Sequence, residues 1–169
     1  MDRATAAGIV VVASAGNDNI NLDTDPASMI VLPAQLNNVL SVAATAPVNQ
    51  SEWDRRASYS NFGGRTGVDL AAPGGDNAVG NSRDLVLSVC SQYQLTLPFA
   101  CGSTSFLLLS GTSESAPHVA GAAAVVQAQT GGTVATVTRC LTSTTDLLPR
   151  ATFGAGRLNV ARAAACAPN

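Results

Sequence analysis

Ser113 is the residue of this chain whose setting most favours nucleophilic chemistry. It follows a Gly-Thr pair in the segment 110–121, SGTSESAPHVAG, where a loop gives way to a run of small residues. That run predicts a helix over Ala116–Gln129, with Pro117 in the first turn, where its missing N–H costs little. Backbone dipoles and unpaired N–H groups at a helix start favour a nearby alkoxide or oxyanion. The alternative for Ser113 taken alone is a helix cap, the common role of serine at such a position.

The longer context of Ser113 resembles the nucleophile motif of the subtilisin-like serine proteases, the subtilases, which is close to GTSMAAPHVAG. Four further segments resemble motifs of that family and follow the family's order. They are GIVVVASAGND at 8–18, LPAQLNNVLSVAAT at 32–45, ASYSNFGGRTGVDLAAPG at 57–74 and FGAGRLNVARAA at 153–164. On these five ordered motifs, the chain is identified as a member of peptidase family S8.

The resemblance implies a site for acyl transfer to a serine. Ser113 is then the nucleophile, and the Asn17 amide together with the N–H of Ser113 holds the oxyanion. Ser14, Ala15 and Gly16 line one wall of the pocket for the substrate side chain before the scissile bond. The residues alone leave simpler alternatives open, because Gly-Asn favours turns and small residues favour close packing.

The family's triad also needs an aspartate and a histidine, which lie in D-T/S-G and H-G-T-H motifs well before the serine. Neither motif occurs in this chain, and its single histidine is His118. Five helical steps rotate a side chain by about 140°, so His118 should point away from the Ser113 hydroxyl. A serine hydroxyl without a base is a poor nucleophile, so we expect no protease activity from this chain alone.

Apolar runs alternate with helical segments along the chain. Strands are predicted at Ile9–Ala13, Val39–Ala43, Val68–Ala72, Leu85–Val89 and Phe106–Ser110, and further helices at Thr133–Thr142 and Asn159–Ala165. This pattern predicts an α/β protein whose parallel sheet is sandwiched by helices. Asn17 then follows the carboxyl end of a strand, where ligands bind in such sheets.

The resemblance implies the three-layer subtilisin-like fold with its N-terminal part missing. Residues 1–169 are then the C-terminal portion of a single catalytic domain. The strand Ile9–Ala13 should have lost its N-terminal sheet neighbours, which would leave an open apolar edge.

Four cysteines without C-x-x-C spacing favour two disulfides in an oxidising compartment over a zinc site. Cys90–Cys101 with Cys140–Cys166 is one of three pairings, and four buried free thiols are the alternative. The family resemblance implies an extracellular protein. The N-terminus has no signal-peptide core, so a signal would belong to a part that is not present here.

The composition supports no class of partner beyond a polypeptide substrate and the missing N-terminal half. The net charge is −2, all nine basic residues are arginine, and we expect neither nucleic acid nor membrane as a partner. We also expect no cofactor and no metal. Asp18, Asp23 and Asp25 lack the spacing of a calcium loop. Some relatives bind a cation at the turn equivalent to Ala34–Val39, but Arg65 stands near the acidic position which that site uses.

Two single positions carry smaller expectations. Glu114 follows the nucleophile where many relatives have methionine, so it should alter peptide preference without removing a catalytic group. Leu32–Pro33 matches a place where relatives have a cis peptide bond.

Three interpretations of the chain follow. The first is the C-terminal portion of a secreted subtilase that hydrolyses peptide bonds once the missing half supplies aspartate and histidine. The second is a non-catalytic remnant or split half that binds peptide or a complementing chain. The third is an unrelated nucleotide-binding α/β module, which lacks a glycine-rich phosphate fingerprint after the first strand.

Overall fold

A parallel three-stranded sheet forms the centre of the molecule. The computed structural model describes residues 1–24, 30–90 and 106–166. The sheet has the order β1-β2-β3, with β1 at Val11–Ser14, β2 at Val39–Thr45 and β3 at Leu70–Pro73. Every residue of β2 is buried, as expected for a strand covered on both faces. The predicted α/β class with a parallel sheet is confirmed.

Along the chain, a second sheet of two strands comes after the main sheet and before the longest helix. Its strands are β4 (Val86–Val89) and β5 (Phe106–Leu109), which pair antiparallel. A short 3₁₀ turn over Ser82–Asp84 precedes β4. The strands predicted at 85–89 and 106–110 are therefore confirmed within one residue.

Five α-helices lie in the described residues. They are α1 (Asp2–Ala6), α2 (Thr112–Thr130), α3 (Val134–Ser143), α4 (Arg150–Phe153) and α5 (Val160–Ala164). Helix α2 begins four residues before the predicted start at Ala116, because its first backbone N–H finds an acceptor in the Asn17 side chain. Gly131 ends it in the left-handed conformation, with φ of 57°.

The main core lies between the sheet and α2, α3 and α5. Alternate residues of β2 and β3 contribute to it, since a strand directs successive side chains to opposite faces. The buried members are Leu40, Val42, Leu70, Ala72, Val119, Ala122, Ala123, Val126, Val137, Cys140, Leu141, Leu158 and Ala163.

The other face of the sheet is covered mainly by loops and by α4. Ala15, Leu22 and Phe153 pack there against Ala43 and Ala71. The sequence predicted helices on both faces. In the described residues, α4 with its buried Phe153 is the helix that contributes to this second core.

Cys140 and Cys166 form a disulfide with an S–S distance of 2.08 Å, which confirms that the chain carries a disulfide and selects a pairing that the sequence left open. The bond joins α3 to the segment just after α5. The pair Cys90–Cys101 of the same connectivity includes a residue outside the described ranges. The Leu32–Pro33 peptide bond is cis, which confirms that expectation.

The two outer strands of the main sheet differ in what lies beside them. Residues 156–158 bond to β3 through the Ala71 N–H, 2.9 Å from the Gly156 carbonyl oxygen, and the Leu158 N–H, 2.8 Å from that of Ala71. Within the described residues, β1 pairs with β2 alone, so its other edge is open. Ile9, just before β1, is 54 % exposed. That the strand has lost sheet neighbours stays a prediction.

The open edge should make the isolated chain self-associate, because unpaired strand groups beside apolar side chains recruit other strands. We expect Ile9→Lys to reduce the association measured by light scattering after size exclusion. Leu147→Lys is the matched control, since Leu147 is 91 % exposed in the turn before α4. A monodisperse wild-type monomer that melts cooperatively would contradict this expectation.

Loss of the Cys140–Cys166 cross-link should lower the free energy of unfolding by about 2–4 kcal/mol, because the unfolded chain gains conformational freedom. Urea unfolding of the double variant Cys140→Ser, Cys166→Ser against the wild type measures this difference. Equal unfolding midpoints for the two proteins would show that the packing of α5 holds without the bond.

Candidate active site

The site is built where the loop after β1 meets the first turn of α2. Thr112 donates to the Asn17 side-chain oxygen Oδ1 from both its backbone N–H, at 2.9 Å, and its hydroxyl, at 2.8 Å. The same hydroxyl accepts the Gly16 N–H at 3.1 Å. Three hydrogen bonds therefore join two segments that lie far apart in the chain.

These bonds decide which way the Asn17 amide faces. Because Oδ1 is occupied by Thr112, the Nδ2 group remains as a donor toward the space beside Gly111. A Cβ placed on Gly111 would lie 3.4 Å from Asn17 Nδ2 and 3.5 Å from the Ser113 backbone nitrogen. Both donors thus border the small space where a Gly111 side chain would lie, and Glu114 Oε2, 2.6 Å from that position, borders it as well.

Ser113 is the second residue of α2, and its side chain is exposed. Among the residues that the structure describes, its hydroxyl has no hydrogen-bond partner. The structure therefore brings the predicted nucleophile beside the predicted oxyanion donors, and it leaves the hydroxyl available for a base.

His118 is held within its own helix. Its Nδ1 lies 2.7 Å from the Glu114 carbonyl oxygen, and no hydrogen bond joins it to Ser113 in the described part of the chain. The sequence predicted that His118 points away from the Ser113 hydroxyl, and the bond to the Glu114 carbonyl oxygen agrees with that expectation. Both residues line one surface groove of about 400 Å³.

The groove runs between the first turns of α2 and the strand β4. Its lining residues are Val86, Leu87, Ser88, Ser113, Glu114, Pro117 and His118. None of them belongs to the loop after β1, so this groove does not include Ser14, Ala15 or Gly16. Burial raises the pKa of the Glu114 carboxyl group.

Asn61 holds the loop that carries Asn17, a role that the sequence did not reveal. Its side chain is fully buried and donates to the Ala15 carbonyl oxygen at 2.9 Å. Its Oδ1 accepts the N–H groups of Asp18, at 2.9 Å, and Ile20, at 3.1 Å. The SN-x-G motif signalled this residue, but only the fold shows which backbone groups it bonds.

Gly16 has to be glycine at this position. Its φ is +98°, and a Cβ would lie 2.5 Å from the Asn61 amide nitrogen. Ala15 is fully buried in the second core, and Ser14 ends β1 half-buried. The substrate-binding role of all three residues stays a prediction.

Tyr59 ties the loop after β3 to this region. Its hydroxyl oxygen lies 2.9 Å from the Gly74 carbonyl oxygen and 2.6 Å from that of Gly75. The Gly74 carbonyl also accepts the Gly111 N–H at 2.9 Å. Burial, with nearby Asp76 and Glu114, raises the pKa of the Tyr59 phenol, so it stays a neutral donor.

The acidic residues considered for calcium have other partners. Asp23 accepts the N–H groups of Arg65, Thr66 and Gly67, and these bonds lower the pKa of its carboxyl group despite some burial. Asp18 lies 3.3 Å from the Asn61 amide. Asp25 falls outside the described residues, and the expected lack of a metal stays a prediction.

A cavity of about 590 Å³ lies away from this site. It is bounded by the amino ends of β1 and β2 and by α3, and contains none of the predicted site residues. Ligands of parallel sheets bind at the carboxyl ends, which is where Asn17 lies. Its size alone does not make this cavity the functional site.

Comparison with known proteins shows the family. The model of the subtilase family, Peptidase S8, matches residues 1–158. The chain therefore belongs to the subtilases, a family of serine proteases.

Relatives match nearly all of this chain, which spans only part of their own length. It is 39% identical over 174 residues to the extracellular protease of Xanthomonas campestris pv. campestris, covering 100% of this chain and 26% of that protein. Subtilisin DY of Bacillus licheniformis is 34% identical, covering 97% of the chain and 50% of the relative.

Solved structures agree with the fold. A lanthipeptide protease matches with a TM-score of 0.77 at 25% identity, over 97% of this chain and 52% of its own. A protease from Pseudoalteromonas arctica matches with a TM-score of 0.76 at 34% identity, over 97% and 44%. The predicted subtilisin-like fold is thereby confirmed. No helix among the described residues is long and apolar enough to span a membrane.

Removing the Thr112 hydroxyl should weaken the contact between the loop after β1 and the start of α2. Thr112→Val keeps the side-chain shape but leaves the Gly16 N–H without its acceptor and Asn17 with one donor fewer. We expect a loss of about 1–3 kcal/mol in the free energy of unfolding. Hydrogen exchange at the Gly16 amide should also become faster.

Thr112→Ser is the matched control, because it keeps the hydroxyl and loses only a methyl group. If Thr112→Val and Thr112→Ser exchange the Gly16 amide at the same rate, the hydroxyl does not orient this loop.

Proposed function

We propose that this chain carries the nucleophile and oxyanion hole of a subtilase serine endopeptidase. The observation that supports it most is the shared position of Asn17 Nδ2 and the Ser113 N–H around the space beside Gly111. A carbonyl oxygen entering that space would accept from both donors, and the Ser113 hydroxyl lies in the same turn of helix.

The reaction is acyl transfer to the serine. The Ser113 oxygen bonds to the peptide carbonyl carbon, the carbonyl electron pair moves to the oxygen, and a base takes the hydroxyl proton. The C–N bond then breaks, the amine leaves with that proton, and water hydrolyses the acyl-enzyme. Ser14, Ala15 and Gly16 would hold the substrate side chain before the scissile bond. The scheme needs no cofactor.

The base and its aspartate have to come from another polypeptide segment. His118 is the only histidine of the chain, and its Nδ1 is engaged with the carbonyl oxygen of Glu114. We infer that the N-terminal portion of the catalytic domain supplies both groups. The chain spans about a quarter to a half of the curated relatives cited above, so they contain the additional length.

Helix α2 supports such a partner segment. Its outward side exposes Ala120, Ala124 and Val125, and Glu114 and His118 are its only ionisable residues. Apolar side chains exposed side by side on a helix favour cover by another segment. Beside it, a cleft of about 200 Å³ runs from Gly8 and Val10 to α2, next to the open edge of β1. The missing segment would cover the helix, the cleft and the edge together.

An extracellular location also fits this proposal. The Xanthomonas relative is named an extracellular protease, and the same holds for an extracellular basic protease of Dichelobacter nodosus that is 36% identical. The Cys140–Cys166 disulfide agrees with an oxidising compartment.

The isolated chain should neither hydrolyse casein nor react with a fluorophosphonate, because no base activates Ser113. Assembled with the N-terminal portion of a subtilase catalytic domain, it should become labelled at Ser113. Ser113→Ala should abolish the labelling, and Asn17→Ala should lower turnover by about 10²–10³-fold.

Two results would separate the interpretations. Stoichiometric labelling of the isolated chain at Ser113 would show that an external base is unnecessary. Tight assembly that never labels Ser113 would instead favour a split half that binds peptide or a second chain without catalysis.

A further inference from the structure

A carboxylate lies directly beside the two oxyanion donors. The position that a Cβ on Gly111 would occupy is 2.6 Å from Glu114 Oε2, and the same position is 3.4 Å from Asn17 Nδ2 and 3.5 Å from the Ser113 nitrogen. The Glu114 side chain therefore borders the small space into which a substrate oxygen would enter.

No cationic side chain in the described residues pairs with this carboxylate. The groove residues of β4 that face it are apolar or hydroxyl-bearing. From the loop side, the Tyr59 phenol is close enough to interact electrostatically but stays neutral. Arg55 also interacts electrostatically with the Tyr59 phenol, but its guanidinium group is paired with Asp76 at 2.8 Å. On α2 itself, His118 is the one other titratable group.

The start of α2 favours the negative charge, because the backbone N–H of Glu114 itself hydrogen-bonds to the carboxylate and lowers its pKa in part. The Ser113 N–H that an oxyanion would use belongs to the same helix start. A charged Glu114 and a developing oxyanion therefore compete for one region of positive potential, and they repel each other across a short distance.

We propose that Glu114 sets the charge state of the oxyanion hole, so that Ser113 is acylated efficiently only when the Glu114 carboxyl group is protonated. The inference rests on the proposed function of Ser113 and Asn17. It concerns an electrostatic control residue, since Glu114 itself exchanges no proton with the reacting atoms.

Acylation of Ser113 should become slower as the pH rises. Burial raises the pKa of Glu114 above its ordinary value. Below this raised pKa the side chain is neutral and the hole accepts the oxyanion. As the pH rises through the pKa, the carboxylate becomes charged and acylation slows, while the triad histidine gains its basic form. The optimum of the assembled enzyme should therefore be narrow and shifted toward acid.

The test is the pH dependence of kcat/KM for an uncharged peptide 4-nitroanilide, measured on this chain assembled with the segment that supplies the base. Glu114→Gln should exceed the wild type by about 10²–10³-fold above the Glu114 pKa, which is the size expected for two unit charges about 4–6 Å apart at an effective dielectric constant near 20. The ratio should approach one at low pH.

Two further variants isolate the effect of charge. Glu114→Leu lacks the amide donor of glutamine, so a gain shared by both variants comes from removing the charge. Glu52→Gln removes one negative charge from a distant turn, and its profile should match that of the wild type. A Glu114→Gln to wild-type ratio that is the same at every pH would overturn the proposal, while labelling of Ser113 would still support the proposed function.

A second measurement does not depend on turnover. In the isolated chain, the side-chain amide resonances of Asn17 should shift with pH, with the same midpoint as the Glu114 carboxyl carbon. The shift should vanish in Glu114→Gln. Asn17 resonances that do not respond to the Glu114 titration would overturn the proposal, whether or not an active assembly forms.

Discussion

The hydrogen bonds between Thr112 and Asn17 are the contact on which the rest of the site depends. They join residues 95 apart in the chain, and they fix the loop after β1 against the start of α2. Because Thr112 occupies Oδ1, the amide nitrogen of Asn17 has to face the space beside Gly111. The helix start gains an acceptor for its first N–H, and the loop gains its orientation from the same bonds.

Further contacts stabilise this connection between the loop after β1 and the start of α2. Asn61 bonds backbone groups on both sides of Asn17, the Ala15 carbonyl and the Asp18 N–H. The Gly74 carbonyl accepts the N–H of Gly111, the residue before α2, and also lies within hydrogen-bond distance of the Tyr59 hydroxyl. Each of these bonds uses a buried polar side chain or carbonyl that would otherwise be unpaired, so the arrangement is costly to disturb. The family motifs SN-x-G and APG thus act here by positioning a loop and a helix start.

The sequence could predict the sheet better than the site. Strands such as Val39–Thr45 are buried on both faces, and their mainly apolar and small residues indicate this directly. The start of α2 was predicted too late, since it is fixed by a distant side chain and not by a local signal. The second sheet face was also mispredicted in part, because loops and α4 cover it where the alternating pattern indicated more helices.

The residues of the candidate site also differ in how far the sequence could predict them. Ser113 and Asn17 belong to recognisable motifs, and the fold brings them together. The bonds of Thr112 and Asn61 link segments that only the fold brings together, so no local pattern could reveal them. His118 lines the same groove as Ser113, but its Nδ1 bonds to the Glu114 carbonyl oxygen within the helix.

The most direct test is a crystal structure of the assembled protein with a peptidyl phosphonate bonded to the Ser113 oxygen. We expect the phosphoryl oxygen to lie within about 3 Å of both Asn17 Nδ2 and the Ser113 nitrogen, in the space beside Gly111. A phosphoryl oxygen that points into the groove along β4, with Asn17 bonded elsewhere, would contradict it.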